Sequence, residues 1–149
     1  MGQNDAVSEQ RATVVTDIRE SALSVDEALR AVASPRAGAV TIFVGTVREH
    51  DEGREGVTEL GYSAHPEALA LLGQIAGRVA AGTQVHGVYA VHRVGQLAVG
   101  DLAVVCAVSA EHRAEAFEGG RRLIEELKAQ VPVWKRQEYA GGEHTWVGL

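Results

Sequence analysis

The two lysines are the residues of this sequence whose types and spacing point most directly to chemistry. Twelve of the fourteen basic residues are arginines, and the lysines, Lys128 and Lys135, lie on either side of Pro132. A lysine amine can lose its proton in a desolvated site and act as an acid, a base or a nucleophile, whereas arginine stays charged. The alternative is a compositional preference for arginine, with Lys128 a charge that favours a helix C-terminus and Lys135 a solvated strand residue.

Two further clusters have the composition of anion sites. His112 and Arg113 stand where a predicted strand enters a predicted helix, and free backbone N–H groups at a helix start favour anions. Arg48 ends the stretch Gly45-Thr-Val-Arg48, and an arginine at a strand end can hold a phosphate through two hydrogen bonds. The plainer alternatives are a capped helix start with exposed charges and a solvated strand-end arginine.

Several kinds of site are missing from the sequence. It contains no Gly-x-Gly-x-x-Gly, Walker, Gly-x-Ser-x-Gly or His-Glu-x-x-His pattern. The lone cysteine, Cys106, lies in an apolar run, which predicts a buried thiol in a strand and leaves no partner for a disulfide within the chain. We expect no metal site, because five histidines do not fall at metal-ligand spacings and are interpreted as ordinary surface or core residues: His50, His65, His86, His92 and His144.

The bulk composition favours one soluble globular domain. The chain has 149 residues, 46% of them hydrophobic and 23% charged, so it can bury a core without disulfides. Its net charge of -6 argues against nucleic-acid binding by bulk electrostatics. No apolar run approaches the roughly 20 residues that span a bilayer, and residues 1–10 lack the apolar core of a signal peptide. We therefore expect a cytoplasmic protein with a flexible leader over 1–10 and a single domain over 11–149.

The elements that must position these residues alternate between strands and helices. Strands are predicted over 13–18, 38–48, 57–63, 85–94, 101–109, 133–139 and 144–147, and helices over 24–33, 66–81 and 112–130. Gly45 within its strand predicts a bulge or a close backbone approach, residues 95–100 a turn, and Gly141-Gly142 a hairpin. The order favours an α+β fold with a mixed or antiparallel sheet and two long helices. In the last helix the spacing predicts a buried stripe of Ala114, Phe117, Ile124 and Leu127.

These clusters, in this order, resemble the catalytic large subunit of molybdopterin synthase from about residue 12 to the C-terminus. The most specific piece is Pro132-Val-Trp-Lys-Arg136 behind the helical Lys128, together with His112-Arg113. The other matching stretches are Gly38-Ala-Val40, Phe43-Val-Gly-Thr-Val-Arg48, His92-Arg-Val-Gly95, Gly100-Asp101, Ala116-Phe117 and Trp146-Val147.

The resemblance implies an α/β hammerhead-like fold, a dimer and a sulfurtransferase activity without a cofactor. In that family each large subunit binds a small ubiquitin-like carrier whose C-terminal Gly-Gly ends in a thiocarboxylate, so that the homodimer is the centre of a heterotetramer. Two sulfurs are transferred to cyclic pyranopterin monophosphate, which gives the dithiolene of molybdopterin. The expected partners are therefore the carrier and this substrate, with no nucleic acid or membrane.

The resemblance also assigns residues to the site. Lys128 and Lys135 match the two active-site lysines, with Lys128 on the carrier's terminal carbonyl and Lys135 as acid or base on the pterin side. The matching substrate-pocket positions are Thr46, Val47, Arg48, His112, Arg113 and Arg136, followed by Gln137, which stands where many members have glutamate. Phe43 and Ile124 are expected to form the pocket wall. Some members have a methionine where this chain has Ile124. Many have an acidic-His-Tyr-Pro stretch where this chain has residues 61–66.

One conflict follows from these assignments. His112 and Lys128 lie at opposite ends of a predicted helix, so we expect a site shared between two subunits, or else a helix broken at Gly119-Gly120. Three other functions remain open from the residues alone: a non-catalytic α+β module that binds a small molecule and regulates, a lysine enzyme that forms a Schiff base, and a structural subunit.

Overall fold

The computed structural model describes residues 11–49, 57–139 and 144–148, with side chains described over 11–49 and 61–133. The expected leader over 1–10, most of the charged loop after residue 49 and the predicted Gly141-Gly142 turn lie outside these ranges. The described elements, in chain order, are β1 Thr13–Arg19, α1 Val25–Val32, β2 Ala39–Thr46, β3 Val57–Ala64, α2 Ala68–Ala80, β4 Val85–Arg93, β5 Gly95–Ala98, β6 Leu102–Ala110, α3 Arg113–Gln130, β7 Val133–Tyr139 and β8 His144–Gly148.

The strands form two four-stranded sheets, which confirms the predicted α+β class with a mixed sheet. The first sheet has the order β1-β4-β6-β2, with β1 parallel to β4 and the other pairs antiparallel. The second sheet has the order β5-β3-β7-β8 and is antiparallel throughout. β7 and β8 pair as the predicted hairpin. Within the described ranges, none of the helices has both the length and the apolar composition needed to cross a bilayer.

Helices cover both faces of the first sheet. α2 and α3 pack on one face against Val88, Val104 and Cys106, and α1 packs on the other against Tyr89 and Val105. Successive side chains of a strand point to opposite faces, so β4 and β6, covered on both sides, read as nearly continuous apolar runs. Cys106 is 2% exposed, as its sequence environment predicts.

The side chain of Ser24 caps the N-terminus of α1. Ser24 Oγ accepts a hydrogen bond from the Glu27 N–H at 3.1 Å. The Glu27 carboxylate bonds to Arg19 and to the Tyr89 hydroxyl instead of returning to the cap. These contacts tie α1 to β1 and β4, so the Glu27 carboxylate fixes the helix on the sheet.

Two boundary predictions are wrong. Residues 95–100 are not only a turn, because Gly95–Ala98 forms β5, which pairs with β3. α2 begins at Ala68, after a turn at Pro66 in which the Ala68 N–H donates to the His65 carbonyl at 2.9 Å. Both errors concern long-range pairing or local helix ends, where sequence patterns are weakest.

The predicted buried stripe of α3 is also wrong in half of its members. Ala114 is exposed and Phe117 is 65% exposed, while Leu127 is buried as predicted. The buried residues of α3 are Ala116, Gly119, Leu123 and Leu127. The helix is therefore rotated relative to the prediction, which leaves an aromatic side chain at the surface.

Candidate active site

Four of the eleven predicted site residues lie at the end of the first sheet where β2 and β4 end: Thr46, Val47, Arg48 and Lys128. Both strands run antiparallel to β6, and Gly45 of β2 and His92 of β4 pair with the same β6 residue, Val104. α3 runs toward this edge, since Gly120 packs against the first half of β2 and the helix continues for ten more residues. The C-terminal ends of β2, β4 and α3 therefore meet.

Lys128 occupies the last turn of α3 with an exposed side chain. Leu127 beside it is 1% exposed and packs in the same core cluster as Val104, which holds this turn against the end of the sheet. Among the side chains that the structure describes, no carboxylate forms an ion pair with Lys128. Its amine is therefore open to an anionic ligand. We call Lys128, His92 and residues 46–48 the lysine edge.

The chain reaches the lysine edge through a β-bulge. The register between β2 and β6 shifts between Gly45 and Thr46, as the isolated glycine predicts. A Cβ atom at Gly45 would lie 2.7 Å from Val104 Cγ1, so no side chain fits there without movement. The bulge leaves Thr46 exposed at the surface.

Val47 anchors this segment in the core. Its side chain is 3% exposed, its N–H donates to the Asp101 carbonyl at 3.0 Å, and its carbonyl accepts from the Gly100 N–H at 2.8 Å. Both its apolar surface and its backbone groups are therefore occupied, and any part in substrate binding is indirect, through the placement of its neighbours. Arg48, next in the chain, is exposed.

The second predicted lysine lies on the second sheet, where only the backbone of Lys135–Gln137 is described. Lys135 pairs with Tyr62 of β3. The Tyr62 ring packs edge-on against the His92 ring, with 5.2 Å between the ring centroids. The register therefore places Lys135 opposite a residue that touches the lysine edge.

His92 is a buried polar residue next to Tyr62 that the sequence does not single out. Its side chain is buried, with 2% of the residue exposed, and its Nδ1 lies 2.7 Å from the Arg93 carbonyl. Burial lowers the pKa of His92, and the nearby charge of Lys128 lowers it further. From the sequence alone His92 is an ordinary core or surface histidine. The available signal is its position in the matched His92-Arg-Val-Gly95 stretch at a strand end.

His112 and Arg113 lie at the far end of α3. His112 is the N-cap residue, with φ of -131° and no side-chain capping bond, and both side chains are exposed. At 1.5 Å per residue, the rise from His112 to Lys128 is roughly 24 Å. Within one protomer the structure therefore does not bring these two predicted groups together.

The alternative of a helix broken at Gly119-Gly120 is wrong. α3 is a single helix of 18 residues. A Cβ atom at Gly119 would lie 3.1 Å from Val108 Cγ1, and one at Gly120 would lie 2.7 Å from Thr41 Oγ1. The two glycines therefore let the helix pack closely on β6 and β2.

The predicted pocket walls, Phe43 and Ile124, line one cleft between β2 and α3. Its volume is about 200 Å³, and Phe117 and Arg121 lie on the same wall of α3 as Ile124. Residues three and four apart share a helix face, so this wall continues from Ile124 to Lys128. Phe43 is 39% exposed and Phe117 65% exposed, which gives the cleft an apolar mouth. The same face of α3 therefore carries both the wall of the cleft and Lys128.

The described side chains offer no alternative catalytic centre built on a metal or a thiolate. No group of three or more His, Cys, Asp or Glu residues there could hold a metal ion. Burial raises the pKa of the Cys106 thiol to about 12, so this sulfur is a neutral thiol at physiological pH.

Comparisons with known proteins agree on one family. Residues 18–130 match the family model described as MoaE protein. The chain is 45% identical over 132 residues to molybdopterin synthase catalytic subunit 1 of Mycobacterium tuberculosis, covering 88% of each chain. It is 36% identical over 133 residues to the molybdopterin synthase catalytic subunit of Bacillus subtilis, covering 89% of this chain and 83% of that one.

The fold is also shared with solved structures. The crystal structure of molybdopterin synthase from Staphylococcus aureus matches with a TM-score of 0.81 and 30% identity, over 89% of this chain and 96% of that chain. A complex of subunits 1 and 2 of the molybdopterin-converting factor from Helicobacter pylori matches with a TM-score of 0.72 and 21% identity, over 88% of each chain, and this likeness concerns the fold alone.

Proposed function

Because the chain belongs to the MoaE family of molybdopterin synthase catalytic subunits, we propose that it transfers sulfur from the thiocarboxylate of a small carrier protein to cyclic pyranopterin monophosphate. The product is the dithiolene of molybdopterin. The carrier is ubiquitin-like and ends in Gly-Gly, and the reaction takes place in the cytoplasm. The Helicobacter pylori relative was solved as a complex of its two subunits, which supports an assembly of this kind.

The observation that carries the proposal is the set of unpaired cations among the predicted site residues. Most arginines with described side chains form ion pairs with carboxylates: Arg19, Arg36, Arg78, Arg93, Arg121 and Arg122. Within the same described part of the chain, the cations that form none are Arg11, Arg30 and the three predicted site residues Arg48, Arg113 and Lys128. A chain of net charge -6 thus keeps three site cations free for a phosphate and a thiocarboxylate.

The cleft between β2 and α3 fits the tail of the carrier. A Gly-Gly segment has no side chains and therefore suits a cleft of about 200 Å³. The face of α3 that runs from Phe117 through Ile124 to Lys128 would lead the tail to the lysine edge. The terminal thiocarboxylate would then meet the Lys128 amine.

The two lysines take different roles in the proposed transfer. For each sulfur, a C–S bond forms at a side-chain carbon of the pterin and a C–O bond of that carbon breaks, its oxygen leaving as water or staying on the phosphate. On the carrier, water attacks the carbonyl carbon, the bond between that carbon and sulfur breaks, and the carrier is left with a C-terminal carboxylate. Lys128 contacts the carrier carbonyl and stabilises the negative charge that develops on its oxygen. Lys135 exchanges protons with the pterin side, with Arg136 and Gln137 beside it on β7 as substrate contacts.

We further propose that the site is shared across a homodimer at the centre of a heterotetramer. One pocket would combine Arg48, Lys128 and Lys135 of one subunit with His112 and Arg113 of its mate. The separation of roughly 24 Å along the unbroken α3 supports this arrangement. An isologous twofold interface can bring such distant groups together in two equivalent pockets, one on each side of the axis.

A reconstituted assay with thiocarboxylated carrier and cyclic pyranopterin monophosphate tests the proposed function. Wild-type protein should form product, and Lys128→Ala should nearly abolish turnover while the protein stays folded. Lys128→Arg should have little more turnover than Lys128→Ala, because it keeps the charge and loses the amine. Arg30→Ala is the matched control, since it removes an exposed cation from α1 on the other face of the first sheet.

The outcomes also separate the competing functions. Wild-type turnover by Lys128→Arg would contradict an amine-specific role. Absence of product with wild-type protein would favour a non-catalytic binding module. Trapping of a carbonyl compound on Lys128 by borohydride would instead indicate a Schiff-base enzyme.

A further inference from the structure

Three segments that are far apart in sequence converge where α3 begins. Glu111 lies between β6 and α3, Arg36 precedes β2, and His86 is the second residue of β4. Oε2 of the Glu111 carboxylate lies 3.3 Å from Arg36 Nη2 and 3.2 Å from His86 Nε2. β4 starts and β6 ends here, so this is the end of the first sheet opposite the lysine edge. We call Arg36, His86 and Glu111 the glutamate clamp.

The glutamate clamp is anchored on a ring that is nearly buried. The His86 side chain is 7% exposed, and that of Glu111 is 30% exposed. A carboxylate can only accept, so Nε2 of His86 carries a proton and donates. An exposed arginine alone would form an ordinary surface ion pair, which contributes little. The buried histidine instead ties the Glu111 carboxylate to the sheet itself.

The backbone of Glu111 is held as closely as its side chain. Its N–H donates to the Gln84 carbonyl at 2.9 Å, and Gln84 has a φ of 66°, which turns the chain just before β4. A Cβ atom at Gly38 would lie 2.6 Å from the Glu111 carbonyl oxygen, so the chain that leads into β2 lies directly against it. Glu111 is therefore fixed from two segments besides its own.

The helix that follows starts without a side-chain cap. His112 is the N-cap residue, and its side chain makes no capping hydrogen bond of the kind that usually stabilises a helix start. One turn later, Thr41 Oγ1 donates to the Ala116 carbonyl at 2.8 Å, which holds the helix from β2. The exposed side chains of His112 and Arg113 thus project from a short stretch between two anchors, Glu111 and Ala116.

We propose that Glu111 is a positioning residue: held by Arg36 and His86, it fixes the start of α3 so that His112 and Arg113 of the same subunit reach the pocket of its mate. The inference rests on the proposed function, in which these two side chains contact the substrate from across the dimer. Because Arg36 pairs with the carboxylate, Glu111 adds little negative charge beside an anion site. Glu111 itself does not touch substrate.

Three variants separate the clamp from a general effect of charge. Glu111→Ala removes both clamp contacts, whereas Glu111→Gln keeps an oxygen that can accept from Arg36 and His86. Glu118→Ala is the matched control, because it removes an exposed carboxylate of the same helix that forms no ion pair among the described side chains. Glu111→Ala should raise KM for cyclic pyranopterin monophosphate about tenfold, with kcat and the KM for carrier within about twofold of wild type. The other two variants should stay within about threefold for all three constants.

Mixed dimers show which pocket Glu111 serves. With pterin well below KM, Glu111→Ala refolded with Lys128→Ala should regain about a quarter of wild-type activity, since one pocket of the mixed dimer has neither defect. Glu111→Ala refolded with Arg113→Ala should stay below about a tenth, because each pocket then carries one defect. If Glu111 served only the pocket of its own subunit, the Lys128 pair would stay equally low.

Amide hydrogen exchange gives a readout that does not depend on turnover. The Ala116 N–H donates to the His112 carbonyl at 3.2 Å, and the Val131 N–H donates to the Leu127 carbonyl at 2.9 Å at the other end of α3. In Glu111→Ala the Ala116 amide should exchange at least about fivefold faster than in wild type, and the Val131 amide at an unchanged rate. Glu111→Gln should resemble wild type at both amides.

These readouts make each outcome decisive. Faster exchange at Ala116 together with recovery in the Lys128 pair supports the proposal. Unchanged exchange at Ala116 in folded Glu111→Ala overturns it, as does recovery of Arg113→Ala but not of Glu111→Ala when each is mixed with Lys128→Ala. If neither pair recovers, the shared site is wrong and the proposal is overturned with it.

Two further results are also informative. If Glu111→Ala does not fold, Arg36→Gln replaces it, because that change removes one clamp contact at an exposed position. If wild-type protein gives no product, the proposed function fails, and the exchange of Ala116 still decides whether Glu111 fixes the start of α3.

Discussion

The shared site predicts that two inactive variants restore activity to each other. Arg113→Ala removes a cation at the N-terminus of α3, and Lys128→Ala removes one at its C-terminus. The two positions are 15 residues apart on one unbroken helix, or roughly 22 Å at 1.5 Å per residue. One subunit therefore cannot offer both groups to one phosphopterin, but two subunits related by a twofold axis can.

The expected magnitude follows from counting pockets. When the two variants are unfolded, mixed in equal amounts and refolded, about half of the dimers are mixed if assembly is statistical. In a shared site, a mixed dimer has one pocket with both defects and one with neither. Half of the pockets in half of the dimers are then intact, so about a quarter of wild-type activity should return.

The assay is product formation with thiocarboxylated carrier and cyclic pyranopterin monophosphate, measured for each parent and for the mixture. A matched control mixes Arg48→Ala with Lys128→Ala, two defects that the proposed site draws from the same subunit. Every pocket of that mixed dimer keeps one defect, so no recovery is expected. Failure of the Arg113 and Lys128 pair to recover, with mixed dimers demonstrated by mass spectrometry, would refute the shared site.

Three further predictions concern residues that support the fold around the site. Gly120→Ala should destabilise the protein by about 1–3 kcal/mol, because the new Cβ atom would lie 2.7 Å from Thr41 Oγ1. Gly77→Ala has open space around the new Cβ atom and should stabilise the protein by up to about 1 kcal/mol. Urea unfolding of both variants and wild type measures these differences. Cys106→Ala should keep carrier-dependent turnover in protein that remains folded, since the buried thiol is not the sulfur donor, and loss of turnover would contradict this. Folding lowers the pKa of His92, so the unfolded chain binds a proton at His92 more readily than the folded protein does. The contribution of neutral His92 to stability should therefore be present above about pH 6.5 and fall as the pH decreases below that value. Between about pH 7.5 and about pH 5.5 the free energy of unfolding should decrease more for wild type than for His92→Phe.

Local patterns in the sequence determined most elements of this fold. The Ser24 cap, the β-branched run ending at Gly45 and the turn glycines each act within a few residues, so their effects can be read along the chain. The same holds for Cys106, whose apolar neighbours predict its burial. The lysine pair is also visible in the sequence, because a count of residue types needs no coordinates.

The buried face of α3 was decided by tertiary contacts. The helix carries two apolar stripes, one through Phe117 and Ile124 and one through Ala116 and Leu123, and periodicity alone does not choose between them. The close approach of Gly119 to β6 selects the second stripe. The exposed Phe117 that results belongs to the cleft of the candidate site.

The composition of the site likewise depended on which elements meet. The position of Val47 in the matched stretch 43–48 predicts a site residue, but the turn between β5 and β6 packs against it and buries it. His92 looks ordinary in the sequence, and only the pairing of β4 with β6 and the contact with Tyr62 show how it is buried. Residue types and their order in the chain are local properties, whereas burial and proximity arise from pairing between segments far apart in sequence. That is why the sequence alone pointed to the family and to the lysine pair, and only the folded chain showed that α3 is unbroken between His112 and Lys128.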